Sequence, residues 1–467
     1  MDLYLIAIGG TGMAPLACLL QQLGHRVRGA DGPLYPPMSE LLAAAGIEPL
    51  VGFDPAHLDL DPAPDLVIVG NAVARTNVEA VEAERRGIER ISMPQAVARF
   101  LLQGREPLVV VGTHGKTTTT SLAAWVYADC SRDPGFLIGG VPRGLEVSFR
   151  LGSGSRFVIE GDEYNAAYFD RGPKFLHYRP QTVIFTHAEF DHADLYRDEE
   201  ELFARFAELI ALLPHTGRLI ACWDQPVVRR LAASAPCEVV SYGLEPGAAV
   251  GAIDLEAVAD GTRFTVVASG EESRVHLPLW GTHNVSNALA VWAAARADGL
   301  PAGAIAAALA RFQGVRRRLE EIGETAGVVV VDDFAHHPTE VAASIGGLRA
   351  RYPGRRIRVL FEPRSLTAGR RRFHAAYLHA FADADEVLLA PVFHRERLGA
   401  ETLDLQDLAA ELGAAGVSAT AFESVESLRE RAVATAARGD VLATMSSGAF
   451  EGLPRRLIDD LRRRRGG

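Results

Sequence analysis

Short apolar runs alternate with amphipathic stretches along the chain, the pattern of strands and helices built into mostly parallel sheets. A first block of about a hundred residues opens with the run Leu3–Ile8, a Gly9-Gly10-Thr11-Gly12 turn and a helix closing at Leu23-Gly24. A second strand, Arg26–Gly29, leads to Asp31, and a later one, Asp65–Gly70, ends at Asn71. Gly104-Arg105-Glu106-Pro107 predicts a linker into a second block that extends to about Phe312. Within it, Ser241–Leu279 is strand-rich with little helical periodicity, which predicts an antiparallel excursion, and Ala288–Ala295 predicts a helix. A third block predicts strands at Gly327–Val331, Arg356–Phe361, Glu386–Ala390 and Asp440–Met445. The pattern is therefore α/β with three domains, at 1–104, 105–313 and 314–467.

Composition narrows the function classes. A net charge of −11 over 467 residues argues against nucleic-acid or membrane-surface binding through charge. Arg462–Arg465 and Arg370–Arg372 predict solvated cationic faces, the former at a helix C-terminus. Cys18, Cys130, Cys222 and Cys237 show no zinc or redox spacing and predict buried thiols. The amino-terminal run is short and lacks a basic leader, so a cytoplasmic protein without membrane insertion is expected. The pattern sets no oligomeric state.

The most specific chemistry lies at Val109-Val110-Val111-Gly112-Thr113-His114-Gly115-Lys116-Thr117-Thr118. A glycine-rich turn between a strand and a helix aims backbone N–H groups at an anion, and the lysine adds a full charge. Two residues separate Gly112 from Gly115-Lys116 where the usual phosphate loop has four, so this is a shortened variant. Acids follow two nearby apolar runs, Glu160, Asp162 and Glu163 after the first, and Glu189, Asp191 and Asp194 with His187 and His192 after the second. In a parallel sheet these strand ends share one edge, and oxygen donors there, with the Thr117 hydroxyl, suit Mg²⁺ beside a nucleotide phosphate. Turn capping would also use such acids.

Elsewhere alternatives stay open. Gly10-Thr11-Gly12 with Asp31 imitates a dinucleotide fingerprint, but its third glycine falls on Pro15, which leaves a diphosphate-bearing ligand on the helix N-terminus. His283, Asn284 and Asn287 fit a helix cap or a ligand contact. One arginine of Arg316-Arg317-Arg318 could meet a γ-phosphate, and Asp332, Asp333, His336 and His337 close a valine strand. Glu362-Pro363-Arg364-Ser365 repeats that placement one strand later.

In this order the motifs Gly-Thr-His-Gly-Lys-Thr, Glu-Gly-Asp-Glu, Glu-Phe-Asp-His-Ala-Asp, Gly-Thr-His-Asn-Val-Ser-Asn and Asp-Asp-Phe-Ala-His-His-Pro resemble those of the Mur ligases over the whole chain. The resemblance implies an N-terminal Rossmann-like UDP-binding domain, a central P-loop-type ATPase domain with a parallel sheet and a small antiparallel part, and a C-terminal Rossmann-like domain. It implies ATP-dependent amide formation on UDP-N-acetylmuramate through an acyl phosphate, with Mg²⁺ as cofactor. Tyr35–Ser39, Gly70–Ala72 and Phe361–Thr367 look like the branch whose acceptor is the tripeptide L-alanyl-γ-D-glutamyl-meso-diaminopimelate, with free L-alanine as the alternative acceptor.

Roles follow from the same resemblance. Gly112, Thr113, His114, Gly115, Lys116, Thr117 and Thr118 would hold ATP phosphates, with metal on Thr117, Glu160 and His192. His283 and Asn287 would meet adenine, Asp333 the ribose and Arg318 the γ-phosphate. Gly9, Gly10, Thr11, Gly12, Met13, Asp31 and Asn71 would grip the UDP-sugar. His336, Arg364 and Ser365 would face the acceptor, with His336 or a water taking the amine's proton.

Overall fold

The computed structural model describes residues 1–193 and 195–466, which fall into two compact units. The first comprises residues 1–190, 195–251 and 289–308; the second comprises 191–193, 252–288 and 309–466.

The first unit holds two mostly parallel sheets and a small antiparallel pair, Asn165–Ala167 with Asp170–Pro173. Leu50–Val51, Arg26–Asp31, Asp2–Ile6, Leu66–Val69 and Arg90–Ser92 lie side by side in that order, all parallel. The chain starts in the middle and winds outward both ways, so the turn after Asp2–Ile6 sits where the strand order reverses. The second sheet runs Glu238–Gly243, Arg218–Cys222, Thr182–Phe185, Glu106–Val111, Arg156–Glu160 and Gly135–Leu137 in parallel, then Phe149–Arg150 antiparallel at one edge. Its central strands are apolar without alternation because both faces are covered: Leu108, Val109, Val110 and Val111 are all buried.

The second unit carries a six-stranded sheet in the order Glu320–Thr325, Val328–Asp333, Asp440–Met445, Arg356–Phe361, Glu386–Leu389 and Ser418–Ala421. Only the first of these runs antiparallel to its neighbour. Val329 and Val331 enter one apolar cluster with Val359, Phe361 and Tyr377, whereas Val328 and Val330 enter another with Leu360, Leu442 and Leu457. The period of two along each strand thus builds a core on both faces. Arg358 is fully buried within this sheet, paired with Glu386 and Asp440 and hydrogen-bonded to Thr435.

Several expectations need correction. The antiparallel excursion begins later than Ser241, because Tyr242 and Gly243 continue the parallel sheet and pair parallel with Val250 and Gly251. The antiparallel partners are Gly261–Ala268 and Glu271–Leu277. The linker at 104–107 is shorter than expected, since Glu106 and Pro107 already belong to a strand. Cys130 and Cys237 are half-buried, unlike the buried Cys18 and Cys222. Arg370 is half-buried and donates to the Ala193 carbonyl, while Arg371 and Arg372 are exposed. The last helix, Leu453–Gly466, does end in exposed arginines at 462, 463 and 464.

Candidate active site

In the first unit, the loop between Glu106–Val111 and the helix Lys116–Asp129 has a shape only glycine permits. Gly112 sits at φ +127°, and a Cβ there would lie 2.4 Å from Thr186 Oγ1 and 2.6 Å from the His187 carbonyl. Gly115 takes a left-handed conformation at φ +80° immediately before the helix, which turns the first helical N–H groups toward the loop. The loop is stitched to the end of Thr182–Phe185. Thr113 donates its N–H to the His187 carbonyl at 2.8 Å and its hydroxyl to the Glu189 carbonyl at 2.9 Å. Thr186 Oγ1 donates to the carbonyls of Val111 and His114, and the His114 ring hydrogen-bonds the Glu189 carboxylate.

Acids from the neighbouring strand end converge on this loop as expected. Lys116 Nζ meets Glu163 at 2.8 Å and donates to the carbonyls of Gly112 at 2.7 Å and Thr113 at 3.3 Å. Burial alone would push the Lys116 ammonium down. The charge and hydrogen bond of Glu163, aided by Asp162 and Glu160, outweigh it, and the net shift is upward, so the lysine stays cationic. Thr117 Oγ1 donates to Glu160 at 2.9 Å, and the other Glu160 oxygen accepts from Gly139 N at 2.9 Å. A hydroxyl and a carboxylate in contact beside a phosphate loop are the hard oxygen donors that Mg²⁺ takes. Thr118 is buried in the first helical turn.

The turn at Gly9–Met13 opens the helix Met13–Gln22 without a side-chain cap. Asp31 does not project from it as a free acceptor: its two oxygens take the N–H groups of Gly9 at 2.8 Å and Gly32 at 2.7 Å. Leu34 packs so closely that a Cβ on Gly9 would fall 2.0 Å from its Cδ2. Met13 is buried, and Asn71 is exposed just beyond Leu66–Val69.

The second unit contains the remaining candidates. The helix expected at Ala288–Ala295 spans Thr282–Ala297, so His283, Asn284 and Asn287 lie in its opening turns instead of before it. Asn287 is buried, 3.5 Å from the Asn284 side chain. Burial, reinforced by the charge of Arg318, pushes the His283 imidazole down to about 4. Arg318 lies between two residues of positive φ, Arg317 at 59° and Leu319 at 49°, with its guanidinium 4.8 Å from the Phe334 ring centre. His192 also sits at positive φ, 56°, on the short segment 191–193.

Asp333 is buried and its oxygens accept from Ala335 N at 2.7 Å, Leu319 N at 3.0 Å and Ser344 Oγ at 3.1 Å. Burial raises its carboxyl to about 6 against the opposing pull of Arg318 and the two backbone donors. His336 approaches Glu340 at 3.3 Å; burial opposes its charge, but Glu340 and Asp191 prevail and raise its basicity. Arg364 stacks 3.9 Å from the centre of the Phe393 ring and reaches Glu362 at 3.5 Å, while Ser365 Oγ accepts from Ala368 N.

Three acid pairings were not assigned from the sequence, although Glu163 and Glu189 stood among its candidate acids and only Glu340 did not. Glu163 neutralises Lys116, Glu189 holds His114, and Glu340 holds His336. Of these pairings, only the last had a spacing signal, four residues from His336 at a helix start.

Comparison with known proteins bears on the whole chain. Residues 2–105 match the Mur ligase family catalytic domain, 110–295 the Mur ligase middle domain and 317–448 the Mur ligase glutamate ligase domain. Over 99% of its length the sequence is 40% identical to the UDP-N-acetylmuramate–L-alanyl-γ-D-glutamyl-meso-2,6-diaminoheptandioate ligase of Escherichia coli, covering 98% of that protein. The chain belongs to the Mur ligase family. It is thereby an ATP-dependent amide ligase, of a family that uses Mg²⁺ in general. This Mur ligase is also 34% identical, over 98% of its length and 94% of the relative's, to the UDP-N-acetylmuramate–L-alanine ligase of Variovorax paradoxus. Among solved structures, a murein peptide ligase from Psychrobacter arcticus superposes with a TM-score of 0.73 at 33% identity, covering 99% of each chain. The UDP-N-acetylmuramate–alanine ligase of Thermotoga maritima shares the fold, with a TM-score of 0.81 at 23% identity over the full length of both. Among the described residues no helix is long and apolar enough to cross a membrane.

Proposed function

We propose that this ligase joins the L-alanyl amine of L-alanyl-γ-D-glutamyl-meso-diaminopimelate to the muramoyl carboxylate of UDP-N-acetylmuramate in the cytoplasm, with domains at 1–104, 105–313 and 314–467. The observation that carries this is the 40% identity, along 99% of the chain, to a ligase named for that acceptor, against 34% to the Variovorax L-alanine ligase.

A carboxylate resists attack by an amine, so the reaction needs activation. The muramoyl carboxylate attacks the γ-phosphorus of ATP, ADP leaves, and the amine then displaces phosphate from the acyl phosphate. In the first unit, Lys116 and the amides of Gly112–Thr118 hold the phosphates, and the cationic state of Lys116 suits that task. Thr117 and Glu160 are the proposed Mg²⁺ ligands in the first unit; the ion, when bound, would neutralise phosphate charge. Arg318 offers a planar cation to the γ-phosphate, and the Phe334 ring behind it restricts its motion. His283, its imidazole held neutral, and Asn287 meet the adenine. Asp333 serves the ribose end by shaping the turn at Leu319, since its oxygens are engaged there. The amides at Gly9–Met13 receive the UDP diphosphate, with Asp31 fixing their turn and Asn71 beside it. Arg364 pairs with an acceptor carboxylate, Ser365 braces its loop, and His336 stands ready for the amine's proton.

Phosphate release by the purified protein tests the reading. It should require UDP-N-acetylmuramate, ATP and the tripeptide together, with a tripeptide kcat/KM at least about a hundredfold above that for free L-alanine. Equal or better use of L-alanine would reassign the acceptor. No phosphate release with either would refute the proposal.

A further inference from the structure

Arg351 lies outside every motif above, at the end of the helix Pro338–Arg351. It touches two segments that the proposed function needs. Its guanidinium carbon sits 4.6 Å from the centre of the Trp280 ring and 5.0 Å from that of Tyr352. Nη1 donates to the Leu319 carbonyl at 3.1 Å, and Nη2 donates to Glu321 at 2.7 Å. Tyr352 donates its hydroxyl to the same Glu321 oxygen at 2.7 Å, which fixes the carboxylate that fixes the arginine.

Two of these contacts, to Trp280 and to Leu319, lead to nucleotide candidates. Trp280 is anchored by its indole N–H on the Val258 carbonyl at 2.9 Å, and its own carbonyl accepts from the Asn284 side chain at 2.9 Å. Gly281 and the helical turn bearing His283 and Asn287 follow directly. The helix that ends at Arg351 comes close here: a Cβ on Gly347 would lie 2.9 Å from Leu319 Cδ1 and 3.4 Å from the Trp280 carbonyl. On the other side, Leu319 is one of two residues of positive φ that flank Arg318, a conformation that costs energy and persists only when its surroundings enforce it. Asp333 holds the Leu319 N–H and Arg351 holds the Leu319 carbonyl, so one strained peptide segment is gripped from both ends.

We propose that Arg351 is a positioning residue for ATP, locking the Trp280–Asn287 segment that meets the base to the Arg317–Leu319 turn that presents Arg318 to the γ-phosphate. The inference rests on the ATP-dependent reading of these two segments. Arginine suits the task because its flat guanidinium stacks on an indole while donating in the ring plane, which lysine cannot do.

The test compares Arg351→Ala, Arg351→Lys and Trp280→Leu with the parent full-length enzyme. Loss of the stack and of a charged hydrogen bond should raise the KM for ATP and the Kd for ADP about tenfold, leaving the KM values for UDP-N-acetylmuramate and tripeptide within about twofold. Arg351→Lys should fall between parent and alanine variant. The Trp280 contribution to fluorescence emission should change in Arg351→Ala and show no such change when Trp280→Leu is already present. If Arg351→Ala proves too unstable to assay, Trp280→Leu alone should weaken ADP binding about threefold. Unchanged ADP affinity in the assayable variant, or equal weakening of all three substrates, overturns the proposal. A parent enzyme without substrate-dependent phosphate release would sink the ligase reading, whereas an active parent with indifferent variants sinks only the role of Arg351.

Discussion

Lys116 illustrates how a residue's chemistry depends on a partner that sequence does not announce. Its ammonium is balanced by the buried carboxylate of Glu163, so deleting the lysine leaves an uncompensated charge. Lys116→Ala should abolish phosphate release and also cost about 3–5 kcal/mol of stability. Adding Glu163→Gln should recover most of the stability, read by urea unfolding, without restoring turnover. Recovery of turnover would mean that the lysine serves folding alone. Asp333 gives a pH prediction of definite sign. Its carboxyl rises from an ordinary 3.8 to about 6 in the folded protein, so the native state holds a proton that the unfolded chain has already released. Between those two values its contribution to stability should fall as pH rises, by about 3 kcal/mol in all. Asp333→Asn should flatten that slope in unfolding curves taken from pH 4 to 7; an unaltered slope would place the proton elsewhere.

At the scale of elements, strands and their ends were the most legible features. The valine runs at 109–111 and 328–331 are buried on both faces and stand where the apolar pattern placed them. The phosphate loop was legible because Gly112 and Gly115 are needed for backbone reasons that sequence spacing reflects. Gly112→Ala should therefore be severe: its Cβ would overlap Thr186 and the His187 backbone, at a φ unfavourable for alanine. We expect a loss of about 2–4 kcal/mol in unfolding free energy and of nearly all ATP turnover. Near-parental turnover would show that the loop can relax. The start of the helix Thr282–Ala297 was not legible, because its first turns are polar and carry no apolar stripe. They are helical because Gly281 turns the chain and Trp280 and Asn284 anchor it.

For the whole molecule, the functional prediction concerns the divalent ion. Chelation with EDTA should abolish phosphate release, and added Mg²⁺ should restore it, while UDP-N-acetylmuramate binding persists because Gly9–Met13 belongs to a different sheet from Thr117 and Glu160. Undiminished release in EDTA would remove the metal role of Thr117 and Glu160. By itself the sequence determined the α/β class, the succession of three strand-and-helix blocks, the glycine-shaped turn at Gly112–Gly115 and the family resemblance, because apolar periodicity and glycine spacing are local properties of the chain. Tertiary structure decided which groups face which: that Glu163 answers Lys116, that Asp31 and Asp333 shape backbone turns, and that Arg351 bridges Trp280 and Leu319. Such pairings join residues from 14 to 71 positions apart. Whether a charged group is free or engaged depends on burial and neighbours that only the folded chain brings together.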